Sequence, residues 1–154
     1  MALSKIRSES VDLADDFAGM HFGGTGSSNQ FDDYETGTFT PTATPGTGSY
    51  GTGPTTASGY YTKIGDICHI RIILTLGTQG TASGGLTVGG LPFTHGIASR
   101  MPILFRENAA TGYIGQYAVE SSSTSGFIQY YEGTTTNANA TGRTYLIAGA
   151  YQTV

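Results

Sequence analysis

The sequence predicts an all-β protein, a jelly-roll-like antiparallel β-sandwich with a short N-terminal arm. Three observations carry this expectation. Over residues 67–76, Cys68, Ile70, Ile72, Leu74 and Leu76 form an unbroken apolar row at period two, while Ile67, His69, Arg71, Ile73 and Thr75 form a mixed one. A helix needs apolar residues at intervals of three and four, and that spacing is absent here. About eight short stretches rich in aromatic and β-branched residues are separated by turn signals along the chain. Composition agrees, with 24 Gly, 10 Tyr and no Trp in 154 residues, and Thr and Ser throughout.

Taken in order, residues 1–35 read as an attachment or oligomerisation arm and linker, and residues 36–154 as the sandwich. The first segment holds seven acidic residues (Glu9, Asp12, Asp15, Asp16, Asp32, Asp33, Glu35) against Lys5 and Arg7, while the remainder holds five basic and four acidic groups. Leu3, Ile6, Ser10, Leu13, Phe17 and Met20 fall at alternating spacings of three and four, a heptad seam with one polar member. Helix and extended arm both fit so short a seam. In either form Leu3, Ile6, Leu13 and Phe17 are the candidate attachment or oligomerisation residues.

A Gly/Ser linker then ends in Asp32, Asp33 and Glu35, whose spacing matches no calcium loop and reads as a solvated acidic turn. Thr38, Phe39 and Thr40 alternate like a strand, and Pro41 places it near a sheet edge. Residues 42–58 read as a long Gly/Thr/Pro loop. Its Gly46, Gly48 and Gly51 match GxGxxG, but no buried strand precedes them and no helix follows to hold a pyrophosphate. Next comes a hairpin: Tyr60, Tyr61, Thr62 and Ile64, the turn dipeptide Gly65-Asp66, then the 67–76 strand, expected mid-sheet. Short strands follow around Leu86-Thr87-Val88, residues 99–106, 113–119 and 125–131, with a last strand at 143–151 returning to the sheet. Tyr113, Tyr117 and Val119 share one face of their strand.

Length and charge bound the function. A domain of 154 residues buries roughly 70% of its unfolded surface and needs neither disulfide nor metal to fold. Only 12% of residues are charged, which suits a protein that hides surface in an assembly. With a net charge of −4 and no basic stripe, nucleic acid is not the expected partner. No stretch reaches the length of a membrane span, and none near Met1 resembles a signal peptide, so synthesis in a cytoplasm without general secretory export is expected. Cys68, the lone cysteine, reads as a small buried hydrophobe.

Enzymatic chemistry finds little support. Beyond the arm the carboxylates are Asp66, Glu107, Glu120 and Glu132, with Asp66 already explained by its turn and no spacing that pairs the others. No nucleophile elbow is present. His21, His69 and His95 lie far apart without ligand-spaced neighbours, so no metal and no cofactor are expected. Asn139-Ala140-Thr141 is a glycosylation triplet that here denotes only a polar loop.

Four pieces, LSKIRSESVDLADDFA (3–18), GGTGSSNQFDDYETGTFTPT (23–42), GYYTKIGDICHIRIILTL (59–76) and GGLPFT (89–94), resemble in order and spacing the C-terminal, tip regions of bacteriophage tail-fibre and tail-spike proteins. The likeness covers roughly the first ninety-five residues. It implies a virion protein, a homotrimer with a β-rich tip, bound through its N-terminal arm to other phage structural proteins. Its receptor would be a surface polysaccharide of a bacterial or cyanobacterial host. The chain departs from the family in lacking a long fibre shaft, which leaves tail fibre, baseplate and capsid decoration all open.

Sugars are held by aromatic faces plus hydrogen bonds from amides, hydroxyls and guanidinium groups. Residues 106–145 supply that mixture, and Arg106, Asn108, Tyr113, Tyr117, Tyr130, Tyr131 and Asn137 are the candidate glycan contacts. Gln116, Gln129, Asn139 and Tyr145 belong to the same mixture. Some of these tyrosines are equally suited to packing, which keeps a purely structural role beside receptor binding.

Overall fold

The computed structural model describes residues 20–21, 30–31, 33–131 and 137–154. The candidate arm residues Leu3, Ile6, Leu13 and Phe17 lie outside these, as does Glu132. The two short strands β1 (Met20–His21) and β2 (Gln30–Phe31) pair with each other antiparallel. Nine more follow: β3 (Tyr34–Phe39), β4 (Thr42–Thr47), β5 (Thr56–Ile64), β6 (Ile67–Thr75), β7 (Ser83–Gly89), β8 (Met101–Glu107), β9 (Ile114–Val119), β10 (Gly126–Tyr130) and β11 (Thr144–Gln152). They form one sheet in the order β3-β5-β6-β11-β8-β9-β10-β7-β4, with every pair antiparallel. The all-β architecture expected from the sequence is therefore present.

The two edge strands of this sheet, β3 and β4, are consecutive in the chain and joined by Thr40 and Pro41 alone. From Phe39 to Thr42 the backbone reaches at most about 11 Å. The opposite edges must therefore lie close together, and the sheet curls around a single interior in the manner of a sandwich. One stretch of chain turns the corner between its two halves.

Inside lies the row that the sequence marked. Cys68, Ile70, Ile72, Leu74 and Leu76 are all 4% exposed or less, while His69 and Arg71 face out. The strand sits between β5 and β11, with Gly65 at φ +56° closing the turn of its hairpin. Tyr145, Ile147 and Tyr151 of β11, Ile103 and Phe105 of β8, Tyr117 and Val119 of β9, and Leu86 and Val88 of β7 complete one core cluster. Burying each large apolar side chain contributes about 1.5–3 kcal/mol.

The interior accommodates so many rings because glycines face them across the ladder. Gly59 is paired with Phe39, and a Cβ there would sit 2.5 Å from the ring carbon Cζ. Gly115 is paired with Phe105, where a Cβ would meet the ring at 2.7 Å and the Gln129 carbonyl oxygen at 2.2 Å. Each ring thus lies over bare backbone, which shields the strand and fills the space a side chain would take.

Several expectations are corrected. Residues 42–58 are not one loop: Thr42–Thr47 form edge strand β4, and Thr56 already belongs to β5. Ala43 and Pro45 are half-buried while Thr42 and Thr44 are exposed, a weak alternation that Gly and Pro disguise. Pro45 is tolerated because β4 has a ladder partner, β7, on one side only, and the register shifts just after it. The main sheet has nine strands rather than about eight. β3 begins at Tyr34, so the sheet starts two residues before residue 36.

Candidate functional site

The site starts from a buried carboxylate. Strict alternation on β8 turns Ile103, Phe105 and Glu107 inward, and Glu107 is fully buried at the strand's end. One of its oxygens accepts the Ala109 N–H at 2.8 Å, and the other accepts the Thr111 N–H at 2.6 Å and the Thr111 hydroxyl at 2.7 Å. Ala110 N–H lies 3.1 Å from both oxygens, Thr144 N–H donates at 3.3 Å, and Arg143 Nη1 stands 3.6 Å away. Burial alone would push this carboxyl up; the hydrogen bonds from Thr111, Ala109 and Ala110 outweigh it and hold the pKa at about 2. Glu107 is thereby a clasp that folds residues 108–112 back on the sheet. Gly112 at φ +69° then turns the chain into β9, and the Glu107 N–H closes on the Tyr113 carbonyl at 2.8 Å.

Rings are stacked on that clasp. Phe105 in the core meets Tyr130 edge-to-face with centroids 5.3 Å apart, and Tyr130 meets Tyr113 at 6.1 Å. Tyr130 is opposite Gly115 in the β9–β10 ladder. Tyr131, the next residue, is 65% exposed. Between them lies a cavity of about 430 Å³ lined by Gly112, Tyr113, Ile114, Tyr130 and Tyr131. None of these five residues carries a charge. The volume falls in the ordinary range for small-ligand sites, and three of the five lining residues are tyrosines.

Three of the seven sequence-chosen glycan contacts, Tyr113, Tyr130 and Tyr131, are brought together in this cavity. Arg106 is exposed on the outer face of β8, opposite Ile114 of the cavity rim. Asn108 is exposed on the clasped loop. Asn137 is exposed and its Oδ1 accepts the Asn139 N–H at 3.0 Å. Tyr117 is corrected: it is a core residue with no exposed surface, and its hydroxyl donates to the Val88 carbonyl at 2.8 Å. Its strand face was read properly in the sequence, but that face points inward. Tyr145 is also fully buried, and Asn139 is committed to the Gly84 carbonyl and the Tyr50 hydroxyl. Gly112 and Ile114 were missed, since neither bears a group that signals binding.

Glu107 and Glu120, weighed as possible catalytic carboxylates, lie at opposite ends of β8 and β9 and do not meet. Glu120 is 3.3 Å from Arg100 in an exposed ion pair. Among the described residues no three His, Cys, Asp or Glu side chains gather into a metal-ligating group. Neither the protein-family models nor the curated proteins contain a match to this sequence.

The ladder also places the cavity relative to Tyr34, where the chain enters β3. At one end of the sheet Tyr34, where the chain joins β3, is opposite Ile64; Ile64 is opposite Ile67, and Ile67 opposite Gln152. At the other end Thr75 is opposite Thr144, Tyr145 opposite Glu107, Arg106 opposite Ile114 and Gly115 opposite Tyr130. The eight steps of β11 from Thr144 to Gln152 separate these ends by about 27 Å. The cavity and the point where the N-terminal segment joins the sheet are thus at opposite ends of the strands.

Proposed function

We propose that this protein is a non-enzymatic bacteriophage virion component, a tail-fibre or tail-tip subunit that binds host-surface glycan. Residues 1–35 are its attachment and oligomerisation arm, and the tyrosine cavity is its receptor site. The observation that supports this reading is the position of the cavity, at the end of the strands away from Tyr34, where the chain enters β3. An attachment protein needs its anchor and its receptor site at opposite ends. The uncharged lining of Tyr113, Tyr130, Tyr131 and Ile114 suits a neutral pyranose, whose apolar face stacks on a phenol ring while its hydroxyls meet phenol oxygens. A homotrimer, as the family resemblance implies, would present three such sites, and weak single contacts would gain from the high effective concentration.

A glycan array probed with the full-length protein, together with the Tyr113→Ala and Tyr131→Ala variants, tests the proposal. Binding to one class of neutral bacterial polysaccharide, weakened about tenfold in both variants, is the expected result. Silence across the array, or binding unchanged in both variants, would overturn it.

A further inference from the structure

The outer face of β5 and β6 holds a small polar basin built from two adjacent cross-strand pairs. Tyr60 is opposite Arg71, and Thr62 is opposite His69. These four side chains point away from the core, because Tyr61, Cys68, Ile70 and Ile72, which alternate with them, pack in or against it. The flanking side chains are short. On β11, Ala148 is opposite Arg71 and Ala150 opposite His69; on β3, Thr38 is opposite Tyr60 and Thr36 opposite Thr62. The depression measures about 210 Å³ and is lined by Tyr60, Thr62, His69 and Arg71 among others. Pockets for drug-sized ligands begin at roughly 300 Å³, so this one suits a single small moiety and not a length of chain.

The basin is cationic. Among the described residues the ion pairs are Lys63–Asp33, Arg100–Glu120 and Arg143–Glu107, and Arg71 is in none of them. Its guanidinium lies over the Tyr60 ring at 5.0 Å. That stacking engages the face of the guanidinium and not its edge, where the N–H donors are. The nearby carboxylates are turned elsewhere. Glu35 accepts the Tyr61 hydroxyl on the opposite face of β5, and Asp66 accepts the Gln152 amide at 3.4 Å.

A guanidinium edge held in one plane matches the two oxygens of a carboxylate. The groups beside it are the Tyr60 phenol, the Thr62 hydroxyl and the His69 imidazole, each able to donate or accept a hydrogen bond. Such groups suit the hydroxyls of a sugar ring better than an apolar body. We infer that this basin is a second binding site, for a carboxylate-bearing sugar residue, with Arg71 holding the acid group and Thr62 and His69 the adjoining hydroxyls. It is separate from the tyrosine cavity, since β6 and β9 are three strand spacings apart, about 14 Å along the sheet. It stands whether or not that cavity binds a glycan.

Calorimetric titration of the full-length protein with a galacturonate trimer, beside the methyl ester of the same trimer, tests this. The ester keeps the rings and hydroxyls but loses the charge, and should bind at least tenfold more weakly than the acid, the scale of one charge-assisted contact. Arg71→Gln should weaken the acid trimer to the same extent; Arg71 is exposed, so the fold is not at stake. Tyr131→Ala should leave its affinity unchanged, which separates this site from the tyrosine cavity. Acetate at equal concentration should not displace the trimer. No binding of the acid trimer, equal binding of the ester, or indifference to Arg71→Gln would overturn the inference. So would loss of binding in Tyr131→Ala, displacement by acetate, or tighter binding of a short glutamate peptide.

Discussion

Tyr130 and Tyr145 share a hydrogen bond of 2.8 Å in the wall between the core and the tyrosine cavity. The Tyr145 hydroxyl donates to the Ala138 carbonyl at 2.7 Å, so the proton between the two phenols comes from Tyr130. Tyr145 has no exposed surface, and burial raises the pKa of both phenols, which keeps the chain of bonds neutral. The cavity therefore has one fixed wall, Tyr130, and one exposed ring, Tyr131.

That relationship separates two variants by stability. Tyr130→Phe removes one bond at a half-exposed site and should cost about 1 kcal/mol. Tyr145→Phe removes two and strands the buried Ala138 carbonyl, so about 2–3 kcal/mol is expected. Urea unfolding midpoints of the two variants give the comparison, and equal losses would contradict this assignment of donors.

Tyr131→Ala should behave in the opposite sense. Its ring is solvent-exposed and its loss should change stability by no more than about 0.5 kcal/mol. Glycan affinity should drop roughly tenfold, the scale of one lost ring contact. Titration calorimetry beside thermal melts would show whether binding and stability part in this way.

Glu107 sets a pH dependence whose sign follows from its pKa. The folded value, about 2, lies below the ordinary 4.5, so the unfolded chain takes up the proton first. The stabilisation is complete above about pH 4.5 and is lost as pH falls towards 2. Glu107→Gln should cost about 3–5 kcal/mol at neutral pH, since it leaves Arg143 uncompensated and turns amide donors towards backbone donors. The difference between wild type and variant should shrink across that acid window; a constant difference would count against the clasp.

Two glycine substitutions test the ring-over-glycine packing. Gly115→Ala puts a methyl 2.2 Å from the Gln129 carbonyl oxygen and 2.7 Å from the Phe105 ring, and backbone cannot step aside cheaply. A loss of about 1–3 kcal/mol or more is expected. Gly53→Ala meets nothing within 4 Å and should be neutral or slightly stabilising. Melting temperatures of the pair should move apart accordingly.

Cys68 is fully buried, and burial is the main cause that raises its thiol pKa. A thiol reagent should leave the native protein unlabelled for hours and label it at once in denaturant. Fast labelling under native conditions would mean that the central strand opens locally.

Much of this was legible in the residues. Period-two alternation in 67–76 determined that β6 is a strand, which side of it is buried, and that Cys68 is inside, because a pleated chain alternates its faces whatever surrounds it. The Gly65-Asp66 turn was equally local. What only the tertiary structure decided are matters of register and closure. Pro45 sits in a strand because β4 is an edge, and Tyr117 is core while Tyr131 is surface because the sheet curls one way and not the other. Tyr113, Tyr130 and Tyr131 meet because the β9–β10 ladder brings Tyr130 opposite Gly115 and the Glu107 clasp folds the intervening loop onto it. Alternation is a property of neighbours in sequence, whereas a cavity is made by residues that the ladder brings side by side.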